Sequence, residues 1–321
     1  MFKNKSSNKL IKGKANPWLF VLVFTTVLVA PAGILTKLLC TELEPFVIAT
    51  LRAFVTAIVL LPVLIKYFKQ HKKVLKKKLK WILLFGALAT PASPAYIAAI
   101  SMTEVSFVAI MDLLTPILFV IISTLATKDK LTRNAFIGIL FAMLGGSIIL
   151  LLPMIFNWSG VSGFGLIPVL LIAVYMLVDA GRPVVLRKLN TGGLSLMPIL
   201  AIFYCQTLIV SSVLALTVHG PESFTAVTTL PSWGWAIILF QALFFSVAVS
   251  WLNTKAYENL GTATTASINY LYYALAIALP LILLGEKLPL EVIIGGTFVI
   301  IGIIFVRRHP HKHVHHTRGH V

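Results

Sequence analysis

Charge is scarce in this chain, and negative charge scarcest. Only 12% of its 321 residues are charged, and ten of them are acidic. A soluble fold of this size carries about twice that charged share, so a water-exposed globular domain is excluded. Cysteine is nearly absent. Cys40 and Cys205 are the two present, which excludes a disulfide framework. Both read as free thiols packed as small apolar groups. No P-loop occurs, and no nucleophile-elbow motif stands in its required context. Serines in the apolar stretches lack a basic partner, so an enzyme is not expected. No cofactor motif and no structured metal site are expected. The six histidines between His309 and His320 form a basic tail that could hold zinc or nickel only weakly.

What the chain has in abundance is long apolar runs, with 58% of its residues hydrophobic. Ten runs of about 20 residues are each long enough to cross a hydrocarbon core as a helix. They cover roughly 17–39, 46–65, 81–101, 105–126, 133–152, 164–186, 195–218, 233–254, 262–284 and 290–306. Period-two alternation is missing, which argues against a membrane barrel. The expected fold is an all-α integral membrane protein with ten transmembrane helices and no separate soluble domain.

The net charge of +17 would suit nucleic acid, but its distribution does not. All but four of the 27 lysines and arginines fall in the tails and in alternate loops, chiefly 1–16, 66–80, 126–133 and 307–321. Lys37 and Lys287 lie on the other side, with Glu42, Glu44, Glu104, Glu222, Glu286 and Glu291. This bias places both termini in the cytoplasm and requires an even number of spans. The partners expected are membrane lipids and a small-molecule substrate, with no nucleic acid. The 66–80 cluster reads first as a topogenic signal and second as a site for anionic lipid, at about 1 kcal/mol per lysine. Ala30-Pro31-Ala32 resembles a signal-peptidase site, but the run before it reads as a retained signal anchor.

The chain is duplicated at an offset of 157 residues. Lys128-Asp129-Lys130-Leu131 matches Gly285-Glu286-Lys287-Leu288. Gly138 matches Gly295, Gly145 matches Gly302, Ala99 matches Ala256, and Asp112 falls opposite Asn269. The units read as a tail at 1–16, a first repeat at 17–152, an outer linker at 153–163, a second repeat at 164–306 and a tail at 307–321. With five crossings each, the repeats enter the bilayer from opposite faces, which places a substrate site between them. The glycines at seven-residue spacing read as close helix packing, within the chain or across a homodimer.

An ionised side chain near the bilayer centre costs at least about 2.5 kcal/mol, so each one needs a reason. Asp112 precedes Thr115-Pro116 by one turn and has no basic neighbour on its own helix. It could bind an ammonium group or a proton, or else pair with Arg52 for packing alone. Arg52 could hold a carboxylate. Asp179 and Arg182, three residues apart, read as an ion pair or inner gate. Asn269, Tyr96, Trp251, Asn253, Tyr270 and Tyr273 are further candidates for binding substrate or proton. Ser93, Tyr204, Gln206 and Tyr272 are weaker ones. Pro91, Pro94 and Pro116 are candidate bends, since proline removes a backbone donor.

These motifs together resemble the drug/metabolite transporter superfamily, in particular its EamA-like ten-helix members. Pro45 to Leu61 around Arg52 resembles the family's second helix. Leu114-Thr115-Pro116 resembles its fourth-helix signature. Leu283 to Leu288 followed by Gly295-Gly296 and Gly302 resembles its closing signature. The first repeat departs from the family in reading Thr127-Lys128-Asp129-Lys130, and Tyr273 stands where the family often has proline. The resemblance implies two inverted five-helix bundles in the bacterial cytoplasmic membrane. It implies alternating access and coupling to protons or a counter-substrate. Opposite charges at Asp112 and Arg52 suggest a zwitterion, an amino acid or related amine. Translocation of a lipid or lipid-linked sugar is the alternative, and a non-transporting scaffold or sensor is a third.

Overall fold

The computed structural model describes residues 17–127, 133–156, 165–190, 196–260 and 262–307. The histidine-rich tail, residues 157–163 of the outer linker and the Lys128–Leu131 motif therefore lie outside the described residues, while 153–156 of that linker continue the last helix of the first repeat. All regular structure among the described residues is helical. In the first repeat the helices are α1 (Pro17–Val29), α2 (Ala32–Leu39), α3 (Pro45–Ala89), α4 (Ala92–Met102), α5 (Val105–Asp112), α6 (Thr115–Thr127) and α7 (Arg133–Phe156). In the second they are α8 (Leu166–Asn190), α9 (Leu196–Leu214), α10 (Ser232–Phe240), α11 (Ser250–Leu260), α12 (Thr262–Leu283) and α13 (Leu290–Arg307). Ala215–His219 and Gln241–Val249 are π-helical, and Pro221–Val227 is a 3₁₀ segment. Among the described residues, six helical stretches are long and apolar enough to cross a membrane. Three shorter apolar helices, Phe136–Ile149, Leu271–Leu283 and Leu290–Phe305, accompany them. The chain is a multi-pass membrane protein.

Three prolines coincide with breaks in the expected spans, whereas Pro62 and Pro280 lie inside unbroken helices and Pro94 in the first turn of α4. The first span divides at Ala30-Pro31, the third at Thr90-Pro91, and the fourth at Leu113-Leu114, just before Thr115-Pro116. The second repeat has Ala248 and Tyr273 where Pro91 and Pro116 stand in the first. Its counterpart of the Thr90-Pro91 break is the π segment at Gln241–Val249, the usual form of an inserted residue in a helix without proline. Gln241 at its start is fully buried and donates to the Ala32 carbonyl (3.2 Å) and to Thr36 Oγ1 (3.3 Å). A side chain from one interruption thus serves a backbone carbonyl at another, as irregular helices in lipid require.

The expected loop at 66–80 is instead helical, and α3 continues through it. The cause is local: between Pro62 and Gly86 there is neither glycine nor proline, and leucine and lysine are good helix formers. A straight helix of this length would hold its ends about 65 Å apart. Yet Val47 near its start shares a core cluster with Ile97, just beyond its end. Leu64 and Tyr67 likewise pack with Ile82 and Phe85. The ribbon therefore doubles back between Tyr67 and Ile82, and both arms pack on α9.

The duplication is visible in the packing. By the 157-residue offset, α1 corresponds to part of α8, α4 to α11, α6 to α12 and α7 to α13. Accordingly α4 packs on α8 as α11 packs on α1, and α6 packs on α8 as α12 packs on α1. Between α7 and α13, a Cβ on Gly145 would lie 2.4 Å from the Gly295 carbonyl oxygen, and one on Gly302 would lie 2.5 Å from that of Gly138. The offset maps the first contact onto the second, as a two-fold axis does. Phe141 stacks on Phe298, its own mate, with ring centroids 6.2 Å apart. This register makes α7 and α13 antiparallel, so the axis relating them runs perpendicular to both. The glycines serve contact within the chain.

Candidate functional site

Asp112 ends α5, and the break before Pro116 brings Thr115 round to it. Thr115 Oγ1 donates to Asp112 Oδ1 at 2.6 Å. From α8, the Tyr175 hydroxyl donates to Oδ2 at 3.3 Å. Asp112 itself is 5% exposed. Tyr96 of α4 packs on Tyr175 with ring centroids 4.9 Å apart, and Tyr272 of α12 is among its side-chain neighbours. The site therefore draws on both repeats.

Asp179 and Arg182 form an ion pair on the same face of α8 as Tyr175, one and two turns further on. Arg52 does not pair with Asp112. Its Nε is buried with no hydrogen-bond partner, and its electrostatic neighbours are Tyr204, Tyr96 and Cys40. Tyr96 is within electrostatic reach of both Asp112 and Arg52. Asn253 and Tyr273 lie elsewhere, on the wall of a second cavity of about 220 Å³ with Thr25, Thr26 and Tyr272. Trp251 is 47% exposed and does not line that cavity. The side chains of Asn269 and Tyr270 lie outside the described residues. Ser93 is half-buried. Gln206 donates to the Leu83 carbonyl at 3.3 Å, and Tyr204 packs edge-on against Phe203.

Tyr175 was not among the residues singled out from the sequence. The available signal was its spacing, since residues 175, 179 and 182 share one helical face. A lateral groove opens beside Asp112 between α5–α6, α7 and α8, with a volume of about 430 Å³. Its walls are almost wholly apolar and include Met111, Leu114, Met143 and Met176.

One end of the molecule carries a network that links the repeats. Gly285 has φ +66°, a left-handed conformation suited to glycine. The turn it makes presents Glu286, which accepts hydrogen bonds from the backbone N–H of Val105 (2.9 Å) and Ser106 (2.8 Å). A carboxylate at a helix N-terminus satisfies free donors and complements the helix dipole. Lys37 Nζ donates to the carbonyls of Ile100 (2.8 Å) and Thr103 (2.9 Å), capping the C-terminus of α4. Burial, then repulsion from Glu286, pushes the Glu104 carboxyl above its ordinary value, while Lys37 opposes the shift. Burial pushes the Cys40 thiol up to about 11. His219 pairs with Glu44 at 3.3 Å at this same end.

A helical membrane fold of two related halves, with a polar centre drawn from both, defines a transporter. Residues 16–151 and 166–308 match the EamA-like transporter family. The chain belongs to that family. It is similar to a protein of Clostridium kluyveri named an uncharacterized transporter, at 22% identity over 297 residues, covering 89% of this chain and 91% of that one. A protein of known crystal structure, 16% identical, superposes over 92% of this chain and 98% of its own with a TM-score of 0.57, a likeness of fold.

Proposed function

We propose that the chain is a secondary transporter of a small polar metabolite, an amino acid or related amine, working by alternating access. It sits in the bacterial cytoplasmic membrane with both termini cytoplasmic and crosses the bilayer five times per repeat. The observation that carries this reading is the buried Asp112 carboxylate, bound by the hydroxyls of Thr115 and Tyr175. Its nearest charged neighbours, Asp179 and Arg182, are paired with each other. The carboxylate is therefore available to an ammonium group or to the coupling proton. Arg52, also within electrostatic reach of Tyr96, offers the complementary charge for a substrate carboxylate.

The test is uptake into proteoliposomes by wild type and Asp112→Asn. A charge-assisted contact contributes about 1.5–3 kcal/mol, so the substitution lowers uptake roughly 10- to 100-fold and flattens its pH dependence. Unchanged uptake with an unchanged pH profile removes Asp112 from the mechanism. The lateral apolar groove favours a second reading, translocation of a lipid or lipid-linked sugar. Labelled phospholipid crossing vesicles that hold the protein, and failing to cross with Gly146→Leu in the groove wall, supports that reading instead.

A further inference from the structure

The second cavity is polar, as the surrounding helices are not. Thr25, Thr26, Asn253, Tyr272 and Tyr273 line it, with Val249 at the end of the π segment. Polar groups at membrane depth are tolerated where they face one another or a wet space. Thr25 is fully buried, and its hydroxyl lies between two acceptors, the Leu22 carbonyl (3.0 Å) and Asn253 Oδ1 (3.1 Å). That contact holds the Asn253 amide against α1. An amide has two N–H donors and an acceptor oxygen, so capacity remains for a ligand on the cavity wall. Among the described residues, no charged side chain lines the space. A guest there must accept hydrogen bonds without bringing a net charge, since a lone carboxylate would have no partner. The volume of about 220 Å³ equals roughly seven waters at ~30 Å³ each, enough for one polar side chain.

The cavity is joined to Asp112 by three tyrosines. Tyr272 on its wall neighbours Tyr96, Tyr96 packs on Tyr175, and Tyr175 donates to Asp112. The duplication also relates the two places. Asn253 is the repeat mate of Tyr96, and Tyr272 that of Thr115. One half of the pseudo-symmetric centre has kept a charge, and the other only neutral donors and acceptors.

We propose that this cavity is a side-chain specificity subsite that takes a neutral carbonyl group, such as a carboxamide, through Asn253. The inference rests on the amino-acid reading above and narrows it. A site built to hydrogen-bond a group rejects an analogue lacking it far more strongly than a site that only fills space.

The test compares L-glutamine with L-norleucine, a side chain of similar length without the carbonyl. Binding to the purified full chain is measured by thermal stabilisation over a concentration series. Wild type binds glutamine at least about tenfold more tightly. Asn253→Leu brings that ratio close to one without weakening norleucine. Thr25→Val, which only frees the amide to turn, gives an intermediate ratio and serves where Asn253→Leu folds poorly. A glutamine preference that survives both substitutions, or equal binding of the two ligands by wild type, overturns the subsite. Failure of both ligands to stabilise wild type overturns the amino-acid reading and the subsite with it.

Discussion

Glu104 shows how one carboxyl can tune this molecule. It sits between Glu286, which repels it, and Lys37, which attracts it. Burial is the largest influence, and its carboxyl is raised above the ordinary range. The folded protein therefore holds this proton more tightly than the unfolded chain. Its contribution to stability is greatest below the ordinary carboxylate range and is lost as pH rises through the raised value. Glu104→Gln should melt about 1–2 °C higher than wild type at neutral pH, a modest figure because the group is only partly buried. The difference should vanish in acid. A melting profile showing the same gap at every pH would assign the effect to something other than this proton. Cys40, at the C-terminal cap of α2 and less than one turn from Lys37, is half-buried with its thiol pushed up to about 11, so it should add little background to thiol labelling.

Among the elements, α7 and α13 are held closest. A Cβ on Gly145 would meet the Gly295 carbonyl oxygen at 2.4 Å and the Val299 nitrogen at 2.9 Å. Both are backbone atoms, so the helices themselves must part. On the adjacent Gly146 a Cβ would meet only the Leu114 side chain, at 3.3 Å. Gly145→Ala should therefore lower the melting temperature of the detergent-solubilised protein by about 5 °C or more, at an overpacking cost of about 1–3 kcal/mol. Gly146→Ala should shift it by less than half as much. Equal shifts would mean that this contact does not limit stability. The glycine spacing was legible in the sequence because close packing needs small residues in register. The breaks at Pro91 and Pro116 were legible because proline removes a donor, whereas the one at Pro31 was not singled out. The π segment at Gln241–Val249 was not, since no residue type marks it. The helical course of residues 66–80 was missed for the opposite reason: its lysines signal the membrane side first and helix propensity second. Tyr175 was hidden because an aromatic in an apolar run reads as packing until its partner on another helix is known.

At the scale of the whole molecule, the repeat was readable from matched residues, and the exchange of contacts between α7 and α13 gives it a physical form. With the charge bias of the loops, it gives an expected sidedness. Lys287 belongs to the end where Glu286 meets α5, and Lys69 to the end where α3 turns back. A cysteine placed by Lys287→Cys should react with a membrane-impermeant maleimide on intact cells. One placed by Lys69→Cys should react only after permeabilisation. Labelling of both from one side would break the inverted arrangement. The two ends are also mechanically connected. Helix α5 is eight residues long, a rod of about 12 Å. Glu286 clasps its first two amides, and Asp112 is its last residue. A rod this short tilts as one piece. In the transport cycle proposed above, a guest at the carboxylate would pull on a clasp supplied by the opposite repeat, and releasing that clasp would displace the carboxylate in turn. Loading and opening would then act on the two ends of a single lever.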